Sequence, residues 1–134
     1  DNLILWNIAT RQEQWRKEHG HSVTAVAFNQ KGTLIATGSD DGIIRVKRSS
    51  DGEEVAAYGE EDFDAHINDV AWSPDGQYVI SGHENDLVIL REATTGKVAL
   101  TMEGHTDSVG NVGFSEDGGR IYTGAADDTV RVWK

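Results

Sequence analysis

The sequence predicts an all-β chain built of four-stranded antiparallel meanders. Three observations carry this. A strand pattern returns every 42–44 residues, β-branched runs alternate with glycine-bearing turns, and no window of useful length shows a 3.6-residue apolar period. The 134 residues contain 15 Gly and one Pro, the composition expected where many tight turns join short strands.

The chain opens on Leu3-Ile4-Leu5-Trp6, a short apolar strand, followed by a more polar one near Glu13–Lys17. The first full unit then begins. Val23-Thr24-Ala25-Val26-Ala27-Phe28 reads apolar-x-x-apolar-small-aromatic and runs into a turn at Gly32. Leu34-Ile35-Ala36-Thr37-Gly38 is its second strand, Ile43-Ile44-Arg45-Val46-Lys47 its third, and Glu54–Tyr58 its fourth. The second unit repeats this order with Ile67–Trp72, Tyr78–Gly82, Leu87–Arg91 and Val98–Met102. The last unit supplies Val109–Phe114, Arg120–Gly124 and Thr129–Trp133. Asp41-Gly42, Asp51-Gly52, Asp75-Gly76, Thr95-Gly96 and Asp117-Gly118 fall at the junctions. They predict two-residue hairpins, since Gly supplies the positive φ these turns need.

One meander cannot bury both of its faces. Several packed face to face can, and a closed ring of them removes the open ends. The expected organisation is therefore a segment of propeller blades. Residues 1–18 give strands three and four of one blade, 19–60 and 61–103 give full blades, and 104–134 give strands one to three of a last blade. These blades make an incomplete ring in one chain. Two readings follow: a piece of a larger propeller, or a unit that closes a ring by self-association, because unpaired strand edges invite partners. The start at Asp1 rather than Met points to the first.

These residues resemble the WD40 repeat family. Glu103-Gly104-His105, Val109-x-x-Val112-x-Phe114-Ser115, Thr123-Gly124, Asp127 and Val130-Arg131-Val132-Trp133 carry the resemblance most closely. It implies a buried polar tetrad in the last blade, formed by His105, Thr123, Asp127 and Trp133. Such a network satisfies a buried indole N–H through a hydroxyl, an imidazole and a carboxylate in turn. Other blades keep only parts of it. Thr37 and Asp41 match, but Lys47 stands where Trp is expected, and the histidine is either His19 or His21. Ser81 matches, but Asn85 and Arg91 replace Asp and Trp. Trp6 is kept without its upstream partners, and no Trp-Asp dipeptide is intact.

The resemblance also implies a protein-binding face made by the loops that precede each first strand and by those between second and third strands. Here these are His21-Ser22, Asp64–His66 and Thr106-Asp107-Ser108, with Ser39-Asp40, His83-Glu84 and Ala125-Ala126. The implied function is a non-catalytic protein–protein interaction scaffold whose partners are other proteins or peptides. A self-assembling homo-oligomeric propeller and a fragment of a propeller enzyme are the alternatives.

The remaining chemistry points the same way. With a formal net charge of −11 and only two short basic stretches, Arg16-Lys17 and Arg45–Arg48, the surface opposes nucleic-acid binding. Both stretches are expected on solvated strand faces. No apolar run approaches a membrane span, and no cysteine offers a disulfide, thiolate or nucleophile, so a cytoplasmic setting is expected. His19, His21, His66, His83 and His105 are scattered or assigned to structural places, so no metal and no cofactor is expected. Ser81 and His83 are near neighbours, but the resemblance implies a structural role for Ser81, so no triad is expected. Glu60-Glu61-Asp62-Phe63-Asp64 reads as a solvated loop or a dock for a basic partner. Trp15, on an outer strand, reads as edge cover or as an exposed contact.

Overall fold

In the computed structural model, which describes residues 1–59 and 66–134, thirteen strands form four antiparallel sheets. β1 (Asn2–Asn7) and β2 (Gln12–Glu18) pair alone. β3 (Val23–Phe28), β4 (Leu34–Ser39), β5 (Ile43–Arg48) and β6 (Glu54–Gly59) make the second sheet. β7 (Ile67–Trp72), β8 (Tyr78–His83), β9 (Val88–Glu92) and β10 (Val98–Met102) make the third. β11 (Val109–Phe114), β12 (Ile121–Ala125) and β13 (Val130–Trp133) make the last. In each sheet every strand is hydrogen-bonded to the next in sequence, so each is a simple meander. The acidic stretch 60–64, together with Asp64 as a candidate contact, lies outside the described residues.

The sheets stack through two apolar seams. Between the second and third sheets Ala25, Ala36, Ile44, Val46, Ile67, Val70, Trp72, Val79 and Ala93 are buried. Ile80, Val88, Met102, Val109 and Ile121 fill the seam between the third and fourth. Burial at about 25 cal/mol per Å² is what neither face of an isolated meander could obtain. Polar bonds cross the seams too. Trp72 Nε1 donates to Ala27 O at 3.1 Å, Val112 N–H donates to Asp69 Oδ2 at 2.9 Å, and Thr24 Oγ1 donates to Ile67 O.

Aromatic residues clamp two of the three fourth strands, β2 and β6, to the next sheet. Trp15 on β2 packs against Gly52 and donates Nε1–H to Ser49 O at 2.8 Å. Tyr58 on β6 packs against Gly96 and donates its hydroxyl to Ala93 O at 3.3 Å. Burial pushes the Tyr58 hydroxyl up to about 12, against a smaller opposing pull from Arg91. Trp15 is therefore edge cover with a defined partner.

The hairpins differ from the two-residue turns that the sequence predicts. Asn29, Ser73 and Ser115 N–H groups donate to Leu34, Tyr78 and Arg120 carbonyls, which closes four-residue loops. Ser73 and Ser115 hydroxyls donate to Asp75 and Asp117, whose carboxylates also accept the Gln77 and Gly119 N–H groups. The Asp side chain thus substitutes for a backbone acceptor and favours the longer loop. Third and fourth strands are joined by similar loops ending in a left-handed residue: Gly52 (φ 71), Gly96 (φ 72) and, less comfortably, Arg11 (φ 57).

Candidate functional site

The first-strand starts and second-strand ends meet at one rim of the stack. Asp40 N–H donates to Ser22 O, Glu84 N–H to His66 O and Ala126 N–H to Ser108 O, the same bond in three sheets. Side chains link neighbouring loops across the seam: Asn68 Nδ2 donates to Ser108 Oγ at 2.9 Å, and Ser108 Oγ donates to Glu84 Oε2 at 3.4 Å. His21, Ser22, His66, Glu84, Thr106, Asp107 and Ala126 are exposed on this rim, with Asp40 and Ser108 half-buried.

Beneath the rim of the last sheet, His105, Thr123, Asp127 and Trp133 lie in one network. The Asp127 carboxylate can only accept, so His105 Nδ1–H donates to it at 2.8 Å. His105 Nε2 then accepts the Thr123 hydroxyl at 2.7 Å, and Thr123 Oγ1 accepts the Trp133 indole N–H at 3.0 Å. Asp127 also accepts from Thr129 Oγ1 and from the Thr106 and Thr129 N–H groups. Led by the Thr129 bond, and against the effect of burial, these hold the carboxyl well below the usual range. The rim loops at Thr106 and Thr129 are thereby tied to the buried network.

The second sheet is built differently. Of the two candidate histidines, His19 is the inner one, 4% exposed, with Nε2 2.9 Å from Thr37 Oγ1. His21 is exposed, 3.8 Å from Asp40 and 3.9 Å from Asp41. No hydrogen bond joins Asp41 to His19. Asp41 instead takes the Ser39 hydroxyl, the Ile43 N–H and an Arg45 ion pair at 2.7 Å. Burial favours its neutral form, but these three partners outweigh burial and keep it strongly acidic. Lys47 and Arg45 therefore do not sit on a solvated face: Lys47 is buried against Glu54, and Arg45 is half-buried. Burial, then the Arg45 and Lys47 charges, push the His19 pKa down.

Four expected placements are corrected. Ser39 (0% exposed) and His83 (5%) are not rim contacts. Both end a second strand, so by period-two alternation they share the inner face with Thr37 and Ser81. His83 Nε2 lies 2.8 Å from Ser81 Oγ, so His83 faces the hydroxyl that its counterparts meet with a histidine from the start of the blade. Trp6 is 55% exposed and takes part in no polar network among the described residues. His66, placed with the structural histidines by its position, is exposed. Arg91 is buried and donates to Gly96 O, in the place that Trp133 holds in the last sheet.

Stacked four-stranded meanders, inner strands side by side and a polar network at the rim define a propeller segment. The WD40 model, described as WD domain, G-beta repeat, matches residues 12–46, 60–90 and 96–134. The chain belongs to the WD40 repeat family. A guanine nucleotide-binding protein subunit beta from Solanum tuberosum is 28% identical over 96% of the chain and 37% of its own length. The B-type cell cycle switch protein ccs52B of Medicago truncatula is 30% identical over 99% of the chain and 28% of its own length. The chain thus spans about a third of these relatives. Among the described residues no helix is long and apolar enough to cross a membrane.

Proposed function

We propose that this chain is part of a non-catalytic protein–protein interaction scaffold that docks a protein or peptide on the rim formed by His21, Ser22, Asp40, His66, Glu84, Thr106, Asp107 and Ser108. The observation that carries this is the rim's construction. Its exposed side chains stand on loops fixed by a repeated backbone bond and by buried networks beneath them, which is how a preorganised contact surface is made. Charge narrows the partner. Asp40, Glu84, Asp107 and Asp128 stand on this rim, whose described loops carry no exposed Lys or Arg, so a segment bearing Lys or Arg is favoured. Membership in a family that includes a G-protein β subunit and a cell cycle switch protein supports a partner-binding role. The hydroxyl–imidazole contacts Thr37–His19, Ser81–His83 and Thr123–His105 are all sealed from solvent and serve packing. A cytoplasmic setting fits a chain without cysteine.

A self-assembling reading rests on a different observation. Val26 and Phe28 on β3 of the second sheet, and Tyr122, Val130 (76% exposed) and Val132 on the last sheet, are uncovered. One experiment separates the two. Cross-linking mass spectrometry in cell extract compares the chain with an Asp40→Lys/Glu84→Lys/Asp107→Lys variant and a Lys31→Glu/Lys97→Glu variant. The docking reading expects heterologous cross-links lost only in the first. Cross-links between copies that survive both variants would favour self-assembly, and equal loss in both would refute the rim.

A further inference from the structure

Shallow grooves run along both seams at the opposite rim, where first strands turn into second strands, and they share Pro74 and Asp75. The groove between the second and third sheets is lined by Asn29, Gln30, Lys31, Thr33 and Leu34 across from Pro74–Gly76. Apart from Leu34 and Pro74 it is polar, and it carries a cation. The groove between the third and fourth sheets has another character. Its floor is Leu90, Phe114 and Ile121, with Pro74 and Tyr78 beside them. Asp75 stands on one bank and Asp117 on the other.

The difference traces to one position in the repeat. Trp72 closes the first seam, buried and bonded to Ala27 O. Its counterpart in the next sheet is Phe114, smaller and without an N–H to bridge the strands, and only half-buried. The two carboxylates are held charged by their own loops. Asp75 accepts from Ser73 Oγ and Gln77 N–H, and Asp117 from Ser115 Oγ and Gly119 N–H; both lie below the usual carboxylate range for these reasons. Arg120, on the same hairpin, adds to the effect on Asp117, whereas no cation contributes at Asp75. An apolar floor between two fixed anions suits one kind of guest: a large apolar side chain beside a basic one.

We propose that this groove is a second docking site, opposite the rim described above, for a peptide segment that carries an aromatic or aliphatic residue next to an arginine or lysine. The apolar residue rests on Phe114, Leu90 and Pro74. The cation lies between Asp75 and Asp117, both of which keep their loop bonds while doing so, because a carboxylate has more lone pairs than these loops use. A partner engaged at both rims would gain from the linked effective concentration without any change in the fold.

The test is a titration of the ¹⁵N-labelled chain with the probe peptide acetyl-Leu-Arg-Phe-Arg-amide, and separately with acetyl-Leu-Glu-Phe-Glu-amide, followed by amide chemical shifts. The expected result is saturable shifts at Asp75, Tyr78, Leu90, Phe114, Gly118 and Ile121 with the basic peptide alone. Asp75→Asn and Asp117→Asn, which preserve the loop acceptors, should each weaken binding by about threefold. Phe114→Trp, which copies the residue of the other seam, should abolish it while leaving the fold intact. Equal shifts with the acidic peptide, shifts confined to the Asp40–Glu84 rim, or unchanged binding in Phe114→Trp would each overturn the proposal.

Discussion

Replacing Thr123 by Val removes one hydroxyl and almost no volume, yet it should be among the most damaging single changes in the chain. Thr123 Oγ1 is the centre of the His105–Thr123–Trp133 chain, with bonds of 2.7 and 3.0 Å. Without it His105 Nε2 and Trp133 Nε1 both lose their partner. A buried polar group left unpaired costs about 1–3 kcal/mol. The His105 side chain is 0% exposed and cannot turn to water, whereas half-buried Trp133 can recover part of its loss. The sum is about 2–4 kcal/mol, a large share of the roughly 5–15 kcal/mol that holds a domain folded. That corresponds to a fall in Tm of about 8–15 °C for a chain of this size. Urea unfolding followed by tryptophan fluorescence measures it. Thr37→Val is the internal comparison. Thr37 meets His19 but no indole, so its loss should be about half as large, near 1–2 kcal/mol. A Thr123→Val cost below that of Thr37→Val would refute the reasoning that the hydroxyl serves two buried partners at once.

Other perturbations follow from the same coordinates. Arg11 holds φ 57 where the equivalent loops have Gly52 and Gly96, so Arg11→Gly should stabilise by about 0.5–1 kcal/mol, read as a higher urea midpoint. Gly96→Ala would set a Cβ 2.5 Å from Tyr58 Cβ and Cγ at positive φ, and should cost about 2–3 kcal/mol. Gly118→Ala, whose Cβ would meet Pro74 Cδ at 3.6 Å, should cost only about 1 kcal/mol of backbone strain. His19 has its pKa lowered by burial and by the Arg45 and Lys47 charges, so the unfolded chain binds its proton more readily. Stability should therefore fall as the pH drops from about 6.5, the unfolded value, towards the folded pKa. His19→Gln should flatten that part of a pH–stability profile, and an unchanged slope would contradict the assignment.

The strands were legible because their signals are local. A period of 42–44 residues, β-branched runs and glycine junctions each arise from one strand or one turn. Residues whose role depends on a second element were not so plain. Ser39 and His83 read as loop residues, yet each is the last residue of a strand and shares a face with Thr37 or Ser81, a placement that the i, i+2 spacing could have indicated. Lys47 read as solvated because it belongs to a basic run, whereas alternation along β5 turns it inward with Glu54 as its counter-charge. Trp15 reads in the sequence as edge cover or an exposed contact with no partner named, and the Tyr58 clamp has no counterpart in that reading. Two aromatics 43 residues apart on fourth strands were the available signal, but their partners, Gly52 and Gly96, lie in the following sheet. Choosing between His19 and His21 needed three-dimensional placement, since the two are separated by a single glycine.

Ile67 sits in the seam between the second and third sheets, fully buried and close against Gly38 of β4. Native-state amide hydrogen exchange of the Ile67→Ala variant therefore asks whether one meander is stable only through its neighbour. If so, protection falls together in β4 and β8, although the substitution lies on β7. Loss of protection in β7 and β8 with β4 unchanged would mean that the sheets stand independently, and the rim would then lack the rigid support that its binding role requires.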